Sequence, residues 1–387
     1  TRNLVMQHPI YLDNNATTAL DERVLEAMLP FLKEMYGNAA SSTHSYGWQA
    51  AEAVKIAREQ VASLIGAMPE EIVFTSGATE ADNLALKGVA EAYASKGDHI
   101  VTVATEHKAV LDTCHWLEKT GRRVTYIVVN GDGLIDLSEL EAAVTPQTVL
   151  VSVMLANNET GVIQPMAAIS EIVHRMGCLL MSDATQAVGK VNLDVNALGI
   201  DLLAMSAHKL HGPKGVGALY VRRRNPRVAL AAQMHGGGHE RAMRSGTLNV
   251  PAIVGFGQAC AIAQTELVQN HYHLAALREY FEAAILRIPG TKRNGHETER
   301  LVNTLNVSFE GVEAEALINA MPGIAISTGS ACTSALMEPS HVLKAMGVAD
   351  LAAYASIRFS WGRFTTMQEM ELAVAEVERG LGSLRRK

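Results

Sequence analysis

Between residues 71 and 221 the chain alternates between two hydrophobic periods. Short continuous apolar runs at 71–75, 99–103, 124–128, 149–154, 178–181, 202–205 and 217–221 read as buried strands. Stretches with helical spacing separate most of them, as at 81–94 and 108–119. Continuous apolar strands alternating with amphipathic helices predict an α/β unit with a mostly parallel, seven-stranded sheet. The last two strands are joined by only about a dozen residues, too few for a helical crossover, so one of the two is expected to run antiparallel. A helix over 48–65 precedes this unit. After residue 250 the pattern changes to a long helix over 253–286, two short strands at 304–309 and 357–360, and a final helix over 367–381. This predicts a second, smaller α+β domain. No internal repeat or low-complexity tract separates the two, so they are expected to pack closely.

Length and composition sharpen this picture. At roughly 150 residues per domain, 387 residues predict two or three domains. A content of 48% hydrophobic and 19% charged residues excludes a disordered chain. The balance of 33 Lys and Arg against 40 Asp and Glu gives a net charge of −7, which argues against a general nucleic-acid or membrane-surface binder. Four cysteines (Cys114, Cys178, Cys260, Cys332) without a CxxC pair argue against both a disulfide scaffold and a structural zinc site. No signal core and no apolar run of about 18 residues is present, so a cytoplasmic, soluble protein of a reducing compartment is expected.

Ligands of open α/β sheets bind beyond the C-terminal ends of the strands. Thr75-Ser76-Gly77-Ala78-Thr79 stands at one such end and opens a helix. It reads either as a phosphate cradle or as an ordinary Ser/Thr cap. Asp183 closes another apolar strand, where it pairs with a ligand cation or caps the next turn. Ser206-Ala207-His208-Lys209 closes a third and runs into a Gly/Pro loop. A lysine beside a phosphate cradle and a carboxylate fits pyridoxal 5′-phosphate (PLP): the lysine forms the Schiff base, and the carboxylate holds the pyridine nitrogen protonated. Cys332 lies in a run of small polar residues, Ser327-Thr328-Gly329-Ser330-Ala331-Cys332-Thr333-Ser334-Ala335, which suits an exposed nucleophile. Cys114, Cys178 and Cys260 sit in periodic segments and read as structural.

Together these motifs resemble the cysteine desulfurases of the NifS/IscS group, fold-type I PLP enzymes of the class V aminotransferases. The resemblance runs from Tyr11-Leu12-Asp13-Asn14-Asn15-Ala16-Thr17-Thr18, through Thr105-Glu106-His107-Lys108-Ala109-Val110, Asn157-Asn158-Glu159-Thr160-Gly161 and His235 to Thr247, to the final helix. It implies helices on both faces of the sheet, a large PLP-binding domain over 16–262, and a small domain over 1–15 and 263–387 that carries the Cys332 loop. It implies that Lys209 carries the cofactor and moves the Cα proton, that Asp183 holds the pyridine nitrogen, and that Gln186 and Asn158 reach the ring oxygen side. His107 stacks on the ring and shuttles protons. Ala78, Thr79, Ser206 and His208 hold the phosphate, and Thr247 reaches it from the partner subunit of a homodimer. Arg358 binds the substrate carboxylate with Asn38 as helper. His211 stands where the family often has Tyr.

The resemblance implies that Cys332 attacks the sulfur of L-cysteine, leaving L-alanine and a Cys332 persulfide. The sulfur passes to an iron–sulfur scaffold protein or another acceptor, in a housekeeping or nitrogenase pathway. No intrinsic metal is expected, and a transient iron–sulfur ligand role for Cys332 stays open. No nucleic-acid or membrane partner is expected. The rival readings are a selenocysteine lyase or an aminotransferase on the same fold, and a non-catalytic partner-binding relative.

Overall fold

The computed structural model describes residues 8–328 and 339–385. The chain enters through β1 (Ile10–Tyr11), α1 (Glu22–Lys33) and α2 (Ser45–Leu64). The central unit follows as β2 (Ile72–Thr75), α3 (Ala78–Ala92), β3 (His99–Val103), α4 (Lys108–Lys119), β4 (Arg123–Ile127), α5 (Leu137–Ala143), β5 (Thr148–Ser152), α6 (Met166–Arg175), β6 (Leu179–Asp183), β7 (Leu202–Ser206) and β8 (Gly217–Val221). Helix α7 (Val250–Leu286) leads to β9 (Thr291–Asn294), β10 (Thr304–Phe309), α8 (Ala314–Asn319), β11 (Ile324–Ala325), α9 (His341–Ala345), α10 (Asp350–Tyr354), β12 (Ser356–Ser360) and α11 (Met367–Arg385).

The seven strands form one sheet in the order β2-β8-β7-β6-β5-β3-β4. Only β8 is reversed, antiparallel to both β7 and β2, as the short connection before it requires. Every residue of β2, β3, β5, β6, β7 and β8 is buried, whereas the edge strand β4 is mostly half-exposed. Burial on both faces explains why these strands read as unbroken apolar runs. At Gly217 a Cβ would stand 2.4 Å from the Met205 carbonyl oxygen and 2.8 Å from Gly77. A side chain there would push β8 off the turn that precedes α3.

Two smaller sheets accompany this one: β12-β10-β9, antiparallel, and the parallel pair β1-β11. Helix α7 has 37 residues, a length of about 55 Å at 1.5 Å per residue. Its N-terminal part, through Ala263, packs into the core beneath the large sheet. Its later residues Leu274, Leu277, Phe281 and Ile285 pack with Phe309, Phe359 and Trp361 in a second core that also takes Ile10 and Leu12. Helix α1 was not anticipated from the sequence, although its apolar residues are spaced for a helix: Val24 is buried, and Met28 and Phe31 pack partly buried against the main core.

The loop 235–247 is tied to the sheet edge by a buried ion pair. Arg58 donates to both carboxylate oxygens of Glu240, at 2.8 and 2.6 Å, and the Phe74 N–H donates to the same group at 2.8 Å. Glu240→Ala would leave the Arg58 charge and the Phe74 N–H without their acceptor. The expected loss is about 3–5 kcal/mol of stability, read as a lowered urea midpoint; an unchanged midpoint would show that the pair does not hold this edge.

Candidate active site

One cavity of about 680 Å³ opens along the C-terminal ends of the parallel strands. Residues 76–80 reach it from the end of β2, His107 from β3, Met154 from β5, Asp183 from β6, and Ser206, His208 and Lys209 from β7. Its far wall comes from elsewhere: Asn15, Ala16 and Thr17 from the N-terminal segment, Ser327 after β11, and Arg358 from β12. Strand β7 shows how the chemistry is placed: Leu202 and Ala204 belong to the apolar core, and Ser206, next on the same face, reaches the cavity. The sheet's two-residue period therefore delivers the chemistry to one edge.

At one end of the cavity the 15-residue helix α3 begins at Gly77 without a side-chain cap. Its first N–H groups and dipole face the cavity beside Thr79, Ser206 and His208, a ready anion cradle. His208 is set by Thr17, whose hydroxyl lies 3.1 Å from Nδ1. Burial, aided by Lys209, Lys214 and Lys190, pushes its pKa down to about 4, so the ring is neutral. Glu80 in the first turn of α3 is engaged by Arg244 at 2.6 and 3.0 Å, which joins the cradle to the loop 235–247.

Lys209 donates to the carbonyls of Asn15 and Ala16, at 2.5 and 2.7 Å. Burial first, then the Arg358 charge, lowers its pKa to about 8, with Asp183 and Asp13 opposing. Asp183 is buried and accepts from the Thr185 N–H at 2.9 Å. Behind it lie Asp82 and Glu106, whose carboxyls burial and the Asp183 charge push well above the ordinary range. Of these three carboxyls only Asp183 lines the cavity. His107 caps α4: its Nδ1 accepts the Ala109 N–H at 3.1 Å, so the proton of the neutral ring sits on Nε2. Burial lowers its pKa and keeps it neutral.

Arg358 is almost fully buried. It donates to the Asn158 carbonyl at 2.9 Å and to Asp13 at 2.7 Å, and its Nε has no partner among the described residues. Gln186 donates to the Asn15 carbonyl at 2.9 Å. Of the residues singled out in the sequence, Ala78, Thr79, His107, Asn158, Asp183, Gln186, Ser206, His208, Lys209 and Arg358 line this one cavity. It does not gather Thr247 or Asn38, both exposed on the single chain. Cys332 lies outside the described residues. Cys114, Cys178 and Cys260 are buried, and burial raises each thiol pKa, that of Cys114 to about 12. None of these three supplies a thiolate near neutral pH.

The residue that sequence reasoning left without a role is Asn15. Its carbonyl accepts from Lys209 and Gln186, and its amide donates to Thr304 at 2.9 Å and to the Asn158 carbonyl at 3.2 Å. The signal was present: Asn14-Asn15 stands in the most distinctive motif of the N-terminal segment, where two adjacent amides follow a short apolar run.

Comparison with known proteins agrees with this geometry. The family model described as aminotransferase class-V matches residues 10–372. Cysteine desulfurase IscS of Neisseria meningitidis serogroup A is 54% identical over 382 residues, covering 99% of this chain and 94% of that protein. Among solved structures, a NifS-like protein superposes with a TM-score of 0.91 at 40% identity, covering 97% of this chain and 100% of that one. A structure described as SspA in complex with cysteine gives a TM-score of 0.82 at 36% identity, over 92% of this chain and 100% of that one. The chain belongs to the aminotransferase class-V family and, within it, to the PLP-dependent cysteine desulfurases of the NifS/IscS group.

Proposed function

We propose that this cavity removes sulfur from L-cysteine, with Lys209 as the cofactor-bearing lysine and Cys332 as the sulfur acceptor. The observation that carries the reading is the convergence of an uncapped helix N-terminus, a buried amine of lowered pKa and a buried carboxylate in one cavity. These are the three groups that PLP needs, and a volume of about 680 Å³ suits a cofactor with a small substrate. PLP, when bound, supplies the electron sink that lets the substrate's Cα–H and Cβ–S bonds break.

The chain's own residues do the rest. The N–H groups of Ala78 and Thr79, with the side chains of Thr79, Ser206 and His208, hold the phosphate. Asp183 supplies the negative charge that keeps a ring nitrogen protonated. Gln186 and Asn158 orient the ring oxygen. Lys209, as a free amine, takes the proton from Cα. His107, neutral with its proton on Nε2, donates and recovers a proton on the cavity side. Arg358 binds the substrate carboxylate; its unpartnered Nε and its position at the cavity wall support this. The Cys332 thiolate attacks the substrate sulfur. A new S–S bond forms, the Cβ–S bond breaks, and its electron pair ends as a C–H bond of L-alanine. The persulfide sulfur then passes to an acceptor protein for iron–sulfur cluster assembly.

The active unit is a homodimer in this reading. Exposed Thr247 follows a loop tied to the cradle through Arg244 and Glu80, which suits a phosphate contact made across the dimer, and Asn38 serves as a substrate helper. The domain division at residue 262, with 1–15 joined to the C-terminal part, would place the hinge inside α7. The two cores that α7 enters support it.

The test is L-cysteine turnover with a thiol reductant. Wild type is expected to release sulfide and alanine in equal amounts. Cys332→Ala should lose both products while keeping the visible absorbance of bound PLP, and Lys209→Ala should lose that absorbance as well. Equal turnover in Cys332→Ala would replace the persulfide route with a lyase or aminotransferase reaction. A second measurement is competitive labelling of the Lys209 amine in cofactor-free protein across pH. The midpoint is expected at about 8, against ~10.4 for an ordinary lysine. Arg358→Gln removes a neighbouring cation, so it should raise the midpoint, yet leave it below the ordinary value because burial is the larger cause.

A further inference from the structure

Lys190 follows the turn after β6, and nothing in the reaction above uses it. Its Nζ donates to Gln186 Oε1 at 2.9 Å, and Gln186 Nε2 donates to the Asn15 carbonyl at 2.9 Å. The same carbonyl accepts from Lys209 at 2.5 Å. Two lysines are therefore joined through one side-chain amide and one backbone carbonyl. While Lys190 is protonated its ammonium has no lone pair, so only the amide oxygen can then face it. A carbonyl has no proton, so only the amide nitrogen can face Asn15. The two contacts fix the sense of the Gln186 amide from both ends. Its NH2 group keeps a second proton, and Gln186 lines the main cavity.

A second, small cavity of about 40 Å³ lies behind this chain of contacts, lined among others by Lys190, His211, Asn303, Trp361 and Arg363. The buried Oδ1 of Asn303 has no partner among the described residues. The space exceeds the roughly 10–15 Å³ that one water needs, so a water there can accept from Lys190 and donate to Asn303.

We propose that Lys190 is a positioning residue that acts through Gln186: it holds the amide oxygen on the far side and keeps the amide donor turned toward the cofactor site beside Lys209. The proposal rests on the reading of Lys209 as the cofactor lysine. The groups bearing on Lys190 are cationic or neutral. Lys209 and Arg358 add to burial in lowering its pKa to about 7; Arg363 lines the same cavity; and the His208 and His211 rings are held neutral by burial. Lys190 therefore keeps its proton best when Lys209 carries no charge.

The test titrates cofactor-free protein with PLP, following visible absorbance, for wild type, Lys190→Met, Lys190→Arg, Gln186→Ala and the Lys190→Met/Gln186→Ala double variant. Lys190→Met is expected to weaken PLP binding about five- to tenfold and to shift the absorbance maximum in the same direction as Gln186→Ala. Lys190→Arg, which keeps the donor, should stay near wild type. The double variant should be no weaker than Gln186→Ala alone, because the lysine acts through the amide. Additive losses, wild-type behaviour of Lys190→Met, or a lower melting temperature with unchanged PLP binding would each overturn the proposal. If Lys190→Met does not fold, competitive labelling of Lys190 itself decides. Its midpoint, expected at about 7 in cofactor-free wild type, should rise in Lys209→Ala, and no rise would overturn the coupling. Failure of wild type to bind PLP would instead overturn the cofactor reading of Lys209.

Discussion

An amine buried at the end of an apolar strand must be held by acceptors that cannot move away. Here those acceptors are two successive main-chain carbonyls, Asn15 and Ala16. Main-chain acceptors leave the lysine hydrogen-bonded without a carboxylate contact that would stabilise its charged form, so burial is free to lower its basicity. The arrangement makes the site depend on a segment nearly two hundred residues away in sequence. That segment is pinned in turn: the Asn15 N–H donates to Ser360, its amide to Thr304, and Asp13 meets Arg358. The floor of the cavity belongs to the large sheet and its wall to the small antiparallel sheet, and the N-terminal segment stitches the two together.

This division explains what the sequence made legible. Groups at strand ends were readable, because an apolar run that stops at Asp183 or at Ser206-Ala207-His208-Lys209 marks both the strand and its functional edge. The reversal of β8 was readable from the length of the connection before it. The structural role of Cys260 was readable too, because it sits in a periodic helix. The Asn15 carbonyl was not, since a main-chain acceptor leaves no residue-type signature. Nor was the Lys190–Gln186 contact, which spans one turn and looks in sequence like any polar pair in a loop. β1, β9 and β11 are too short for an alternation to register, and α1 fully buries only Val24 while Leu25, Leu29 and Leu32 are exposed. The roles of Thr247 and Asn38 concern a second copy of the chain and have no geometric signature within one.

The carboxyl groups around the cavity show how one environment sorts like groups. Asp183 touches the cavity and accepts a backbone N–H, whereas both carboxyl oxygens of Asp82 and Oε2 of Glu106 have no hydrogen-bond partner among the described residues. Burial and the Asp183 charge favour the neutral forms of Asp82 and Glu106, and of the three only Asp183 lines the cavity. The histidines are sorted likewise: His107, His208 and His211 are all kept neutral by burial, which leaves Lys209, Lys214 and Arg358 as the basic groups that line the cavity.

The pairing of β1 with β11, Ile10 with Ile324, bears on how the protein is made. Strand β1 has its partner more than three hundred residues later in the chain. The Asp13–Arg358 contact waits longer still, for a residue 345 positions on. At roughly 5–20 residues per second, the N-terminal segment spends on the order of 20–70 seconds without the strands that receive it. During that interval the large sheet can assemble in order, since its strands lie within one stretch of chain, but Lys209 has no settled carbonyls to hold it. The complete wall of the cavity therefore waits for β11 and β12 to return to β1 and the segment that follows it.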